Sequence, residues 1–115
     1  MMERLTETHQ LQHMLDRSGE EPVLLFKHST VCPVSAAAHE ELMRFTESEE
    51  AKRVRVGLIY VIEDRPVSNE AAQRLEVKHE SPQALLVRNG KAVWHASHWN
   101  ITSEALKQAV RAYGA

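Results

Sequence analysis

The dipeptide Asn89-Gly90, set between the β-prone runs Gln83–Arg88 and Lys91 to about His98, constrains this chain more than any other local feature. A two-residue loop of this composition forms a type I′ turn, whose two central residues take the positive φ that Asn and Gly tolerate. Residues 83–98 are therefore expected to fold back as an antiparallel hairpin. Earlier in the chain, segments of helical period alternate with short apolar runs, the pattern of parallel strands joined by helical crossovers.

The first helix is expected from about Thr6 to Arg17, with Leu11, Met14 and Leu15 at i, i+3, i+4 spacing and Gly19 as its stop. Val23-Leu24-Leu25-Phe26 is continuously apolar and suits a strand buried on both faces. Pro33 opens a helix to about Thr46, since its missing N–H costs nothing at the first helical position. Val34, Ala37, Ala38, Leu42 and Phe45 make that helix's apolar side. Val54 to Ile62 reads as a second buried strand. After Pro66, Ser68 is expected to cap a helix to about Leu75, with Val67 as a staple and Glu70 favourable near the start. Thr102 caps a last helix carrying Ala105, Leu106, Ala109, Val110 and Tyr113 on one stripe.

The resulting order is α-β-α-β-α-β-β-α. Two parallel strands with a crossover helix, another helix, an antiparallel hairpin and a closing helix make an α/β, thioredoxin-like fold, a central mixed sheet flanked by helices. A flavodoxin-like sheet would need more βα units and no terminal hairpin. Residues 1–115 have the length of one domain.

Composition narrows the function. At 43% hydrophobic and 26% charged residues the chain is globular rather than disordered. A net charge of −2 with no basic block argues against nucleic acid as a partner, because phosphate binding needs clustered Lys and Arg. No apolar stretch has the length of a membrane span, and residues 1–6 do not read as a secretory signal, so no membrane partner is expected. With a single cysteine no internal disulfide can form, and a cytoplasmic location is expected.

That cysteine, Cys32, lies beyond a strand end and directly before Pro33 at a helix start. Free backbone N–H groups and the helix dipole stabilise an anion there. The placement suits thiol–disulfide exchange, because the attacking species is the thiolate, and a free thiol of pKa ~8.5 is only about 3% ionised at neutral pH. Three residues on, where a dithiol site would carry its second cysteine, stands Ser35. A Cys-x-x-Ser site cannot resolve its own mixed disulfide, so Cys32 is expected to carry an adduct until an outside thiol removes it. The Ser35 hydroxyl could bond the thiolate or simply serve the first helical turn. Lys27 and His28, just before the cysteine, are candidates to assist it.

Pro82 opens the third strand, where thioredoxin-like proteins place a cis-proline against the reactive cysteine, and a cis bond is expected. The backbone of Ser81 would then be free to pair with an extended substrate. If the Asn89-Gly90 loop pairs Arg88 with Lys91, regular pairing sets Ser81 opposite His98, and His98, Trp99 and Asn100 fall beside Pro82; a bulge would shift this by one residue. The seven histidines do not suggest a metal: His9 and His13 share a helix face without a third ligand, and His95 and His98 should project from opposite faces of a strand.

Cys32-Pro33-Val34-Ser35, the segments Arg65 to Glu70 and Val77 to Gln83, and Trp94 to Thr102 together make the chain resemble the monothiol bacilliredoxins of the YtxJ type over almost its whole length. The family motif reads Thr-Cys-Pro-Ile-Ser; here Val31 and Val34 stand for the Thr and the Ile. The resemblance implies a thioredoxin-like protein of bacterial bacillithiol redox systems. Cys32 would attack a protein–bacillithiol mixed disulfide, release the protein thiol and keep bacillithiol until a second thiol restores it. Bacillithiol is then a co-substrate, no cofactor is bound, S-bacillithiolated proteins are the clients, and a monomer is expected. The malate carboxylates of bacillithiol would favour a cationic pocket, for which Lys27, Lys78 and His98 are candidates. Two alternatives differ in class: a monothiol iron–sulfur carrier, needing two outside thiols per cluster, and a non-catalytic adaptor that keeps only the fold.

Overall fold

Asn89 and Gly90 both sit at positive φ, 54° and 75°, and turn β4 (Gln83–Arg88) into β5 (Lys91–Ser97) with Arg88 paired to Lys91. In this computed structural model, which describes residues 2–114, the hairpin forms one side of a five-stranded sheet. The central strand is β2 (Val23–His28), every residue of which is buried. It pairs parallel with β3 (Arg55–Tyr60) and antiparallel with β4. A strand not expected from the sequence, β1 (Met2–Arg4), adds parallel to β3 at the edge, giving the order β1-β3-β2-β4-β5. The expected element order is corrected accordingly. Three residues are too few to show a strand's alternation.

Alternate residues of β2 feed two cores, as the period-2 geometry of a strand requires. Leu24 and Phe26 pack with α2 (Pro33–Thr46) and α4 (Ser103–Tyr113), through Ala38, Leu42, Phe45, Leu106 and Val110. Val23 and Leu25 pack on the other face with α1 (Thr8–Asp16) and α3 (Arg65–Leu75), through Leu11, Met14, Leu15, Val67 and Ala71. Sheet and helices thus form three layers, and the carboxyl end of β2 runs straight into the segment that holds Cys32.

The helix ends depart from expectation in ways the chain explains. α1 starts at Thr8, because the Gln10 side chain reaches back to accept the N–H groups of Thr6 and Glu7. It stops at Asp16 without Gly19. Gly19 instead admits the hairpin loop: a Cβ there would stand 2.7 Å from Asn89 Oδ1, and Ser18 binds the loop through both Asn89 and Gly90 N–H groups. α3 starts at Arg65 behind Asp64, so Ser68 is not its cap and Val67 is not its staple. Both lie inside the helix and are buried. Pro66 fits the first turn, where a missing N–H breaks no bond. The strand expected over Val54 to Ile62 is confined to Arg55–Tyr60, since Asp64 N–H turns back to the Tyr60 carbonyl. Thr102 caps α4 by accepting from Ala105 N–H at 3.0 Å, while Tyr113 at the end of the stripe is exposed.

Candidate active site

β2 ends at His28, and after residues 29–31 Cys32 becomes the N-cap of α2 with extended backbone (φ −108°, ψ 121°). Its carbonyl accepts the Ala36 N–H at 3.0 Å, closing the first turn. Pro33 occupies the first turn of α2, where its ring pre-sets φ. The thiol is half-buried, and Val31 beside it is 76% exposed, so the site opens at the surface. N–H groups of a helix's first turn have no carbonyl partner within the helix, which leaves positive partial charge at this end of α2, although the Cys32 side chain bonds none of them.

Ser35 is completely buried, and both of its hydroxyl bonds run to the end of β2. Ser29 N–H donates to Ser35 Oγ at 2.9 Å, and Oγ meets His28 Nδ1 at 2.7 Å. Oγ has a second lone pair and a proton of its own, so it pairs with Nδ1 in either tautomer of His28. Through these two contacts the Ser35 hydroxyl ties the end of β2 to the first turn of α2. His28 stacks on Phe26 and lies 4.8 Å from the His39 ring, centroid to centroid. Burial and the neighbouring His39 hold its pKa below the ordinary histidine value, against a weaker opposite pull from Glu63.

The Ser81–Pro82 bond is cis. The β2–β4 register, Lys27 opposite Gln83, brings Pro82 to the same end of the sheet as the Cys32 segment. Ser81 does not pair with His98; His98 N–H bonds the Pro82 carbonyl at 3.0 Å instead. The cause is a bulge at Val93, which moves β5 one residue along β4 beyond Val87. His98 leaves the strand at φ 54° to start a short 3-10 turn through Trp99 to Asn100, so its relation to His95 is not that of two residues on one strand. Ser81, outside every strand, has no backbone hydrogen-bond partner among the described residues.

The sequence candidates therefore divide into a surface group and a buried group. Cys32, His98, Trp99 and Asn100 reach the surface, with Trp99 70% exposed. His98 and Trp99 face Ala37, Glu41 and Arg44 of α2 across a groove of about 230 Å³. Lys27 has no exposed surface and His28 very little, so neither touches a ligand as a surface group would. Lys27 points into the α1/α3 side, where its Nζ lies 3.1 Å from His79 Nδ1, and burial pushes its pKa down to about 8. His79 was not a sequence candidate, and three residues before a proline it carries no local signal of this contact. Also unforeseen is Arg4, which bonds Asp64 at 3.1 Å and lies over the Tyr60 ring, fixing the start of α3. Among the described residues no three His, Cys, Asp or Glu side chains are grouped to hold a metal ion.

The profile of the monothiol bacilliredoxin BrxC matches residues 3–106 of this sequence. The chain belongs to the monothiol bacilliredoxin family. A solved structure provisionally described as an oxidoreductase with a thioredoxin fold is 30% identical, with a TM-score of 0.82 over 94% of this chain and 92% of that one. The thioredoxin of Malassezia sympodialis, 13% identical, superposes with a TM-score of 0.80 over 100% and 92% of the two chains. Mitochondrial thioredoxin 3 of Saccharomyces cerevisiae, 15% identical, gives 0.75 over 96% and 94%. The last two likenesses establish the fold alone. The family and the 30% relative give this bacilliredoxin-family chain a thiol redox role, and Cys32 is its only cysteine.

Proposed function

We propose that the protein removes bacillithiol from S-bacillithiolated proteins, with Cys32 as nucleophile. The observation that carries the reading is the site's single thiol: Cys32 caps a helix at the surface, while Ser35, at the resolving position, is buried and bonded to His28 and Ser29. The Cys32 thiolate attacks the bacillithiol sulfur of the mixed disulfide. The old S–S bond breaks, the client leaves as a thiolate that takes up a proton, and a Cys32–bacillithiol disulfide remains. A second thiol attacks the bacillithiol sulfur of that adduct, forming an external disulfide and returning Cys32.

Family membership supports bacillithiol as the small thiol. Ser81, with no backbone partner among the described residues, supports docking of the client's extended segment, and His98, whose N–H bonds the Pro82 carbonyl, would flank that segment with exposed Trp99 and Asn100. The test is recovery of a thiol enzyme inactivated by bacillithiolation. Wild type is expected to restore its activity and Cys32→Ser to restore none. Equal recovery with both would overturn the reading.

A further inference from the structure

Lys27 lies on the central strand, is 0% exposed, and forms no ion pair with any carboxylate among the described residues. An unpaired ammonium inside a core opposes folding, and an apolar residue of the same length generally fits better. The surroundings are not arranged for stability either, since Gln83 Oε1, on the residue directly opposite Lys27 in the β2–β4 register, is buried without a partner among the described residues.

What the lysine touches suggests its purpose. Residues 77–81 join α3 to β4 and make no backbone–backbone hydrogen bond to the rest of the chain among the described residues. Side chains on the α1/α3 face hold them instead. Lys27 Nζ donates to His79 Nδ1 at 3.1 Å, Ser68 Oγ lies 3.3 Å from the same nitrogen, and Gln83 Nε2 donates to the Lys78 carbonyl at 3.0 Å. The segment ends at Ser81 and cis Pro82.

We propose that Lys27 and His79 form a latch that positions residues 77–81, and through them the Ser81 backbone, for the incoming disulfide substrate. Lys27 is thus a positioning residue acting from beneath the site, and its value as a substrate-binding group is indirect. The role in substrate binding rests on the exchange reaction proposed above; the latch itself is a property of the fold.

Three variants of the full chain test it: Lys27→Met, His79→Ala, and His79→Asn, which offers an acceptor oxygen near the place of Nδ1. Lys27→Met is expected to melt no lower than wild type. In both Lys27→Met and His79→Ala the KM for a bacillithiolated client should rise about tenfold with kcat nearly unchanged, the scale of one lost charge-assisted hydrogen bond. His79→Asn should stay near wild type, and Lys27→Met combined with His79→Ala should be no worse than either alone. An unchanged KM in the first two variants, or His79→Asn as weak as His79→Ala, overturns the positioning role.

A second readout does not depend on turnover. The groups facing the His79 ring are cationic Lys27 and Arg65 and anionic Glu80, and burial together with the two cations lowers its pKa. NMR titration should show that pKa move up in Lys27→Met; no movement overturns the latch. Wild type that fails to transfer bacillithiol yet shows the titration shift would sink the proposed reaction and leave the latch standing.

Discussion

At the scale of single residues, Ser35 joins two elements through one oxygen. Its hydroxyl satisfies the buried Ser29 N–H and holds the His28 ring, so the end of β2 and the first turn of α2 move as one piece beneath Cys32. Ser35→Ala leaves both partners buried and unpaired, and is expected to cost about 1–3 kcal/mol, read as a lower midpoint in denaturant melts. Lys27 has the opposite energetic sign. Its pKa is about 8 in the folded chain and 10.5 when unfolded, so between those values the unfolded state binds more protons. Stability therefore rises with pH across that window and is lost as pH falls through 8. Lys27→Met should be the more stable protein at pH 7, by an amount on the order of 3 kcal/mol, with the gap closing towards pH 10.5; melts of both proteins across this range check it. Neither the Ser35 bridge nor the Lys27–His79 contact was legible in the sequence. Each joins residues whose proximity only the packed layers create, whereas Cys32-Pro33 announced itself because cysteine, helix start and proline are neighbours in the chain.

At the scale of elements, the legible parts are those with a local cause. Asn89-Gly90 forces the hairpin, Pro33 starts α2, and Thr102 starts α4, each through backbone geometry or a bond within three residues. The parts that were missed depend on distant neighbours. β1 exists because β3 offers an open edge, and the one-residue shift that moved His98 from Ser81 to Pro82 comes from a bulge at Val93, where nothing local marks it. Close packing between elements also sets Gly57 on β3. A Cβ there would stand 2.9 Å from Leu5 Cδ1 and Met14 Sδ and 3.0 Å from Leu25 Cδ2. Gly57→Ala must displace the side-chain ends of Leu5, Met14 and Leu25 together, and is expected to destabilise by about 1–3 kcal/mol. A thermal melt indistinguishable from wild type would show that these contacts yield freely.

At the scale of the whole molecule, the fold brings a surface thiol, a cis-proline with a free neighbouring backbone, and an exposed tryptophan to one end of a five-stranded sheet. The dithiol version of this arrangement would close its own disulfide. Here the serine is built into the core, which supports the proposed reaction, in which the protein receives a thiol and hands it on. The most direct measurement is intact mass during a single turnover, with reduced protein mixed with a bacillithiolated client and no second thiol present. The account predicts that one bacillithiol mass moves to Cys32 as an equal amount of reduced client appears, and that Cys32→Ser gains nothing. A folded, reduced wild type that stays unmodified while the client keeps its bacillithiol would contradict it.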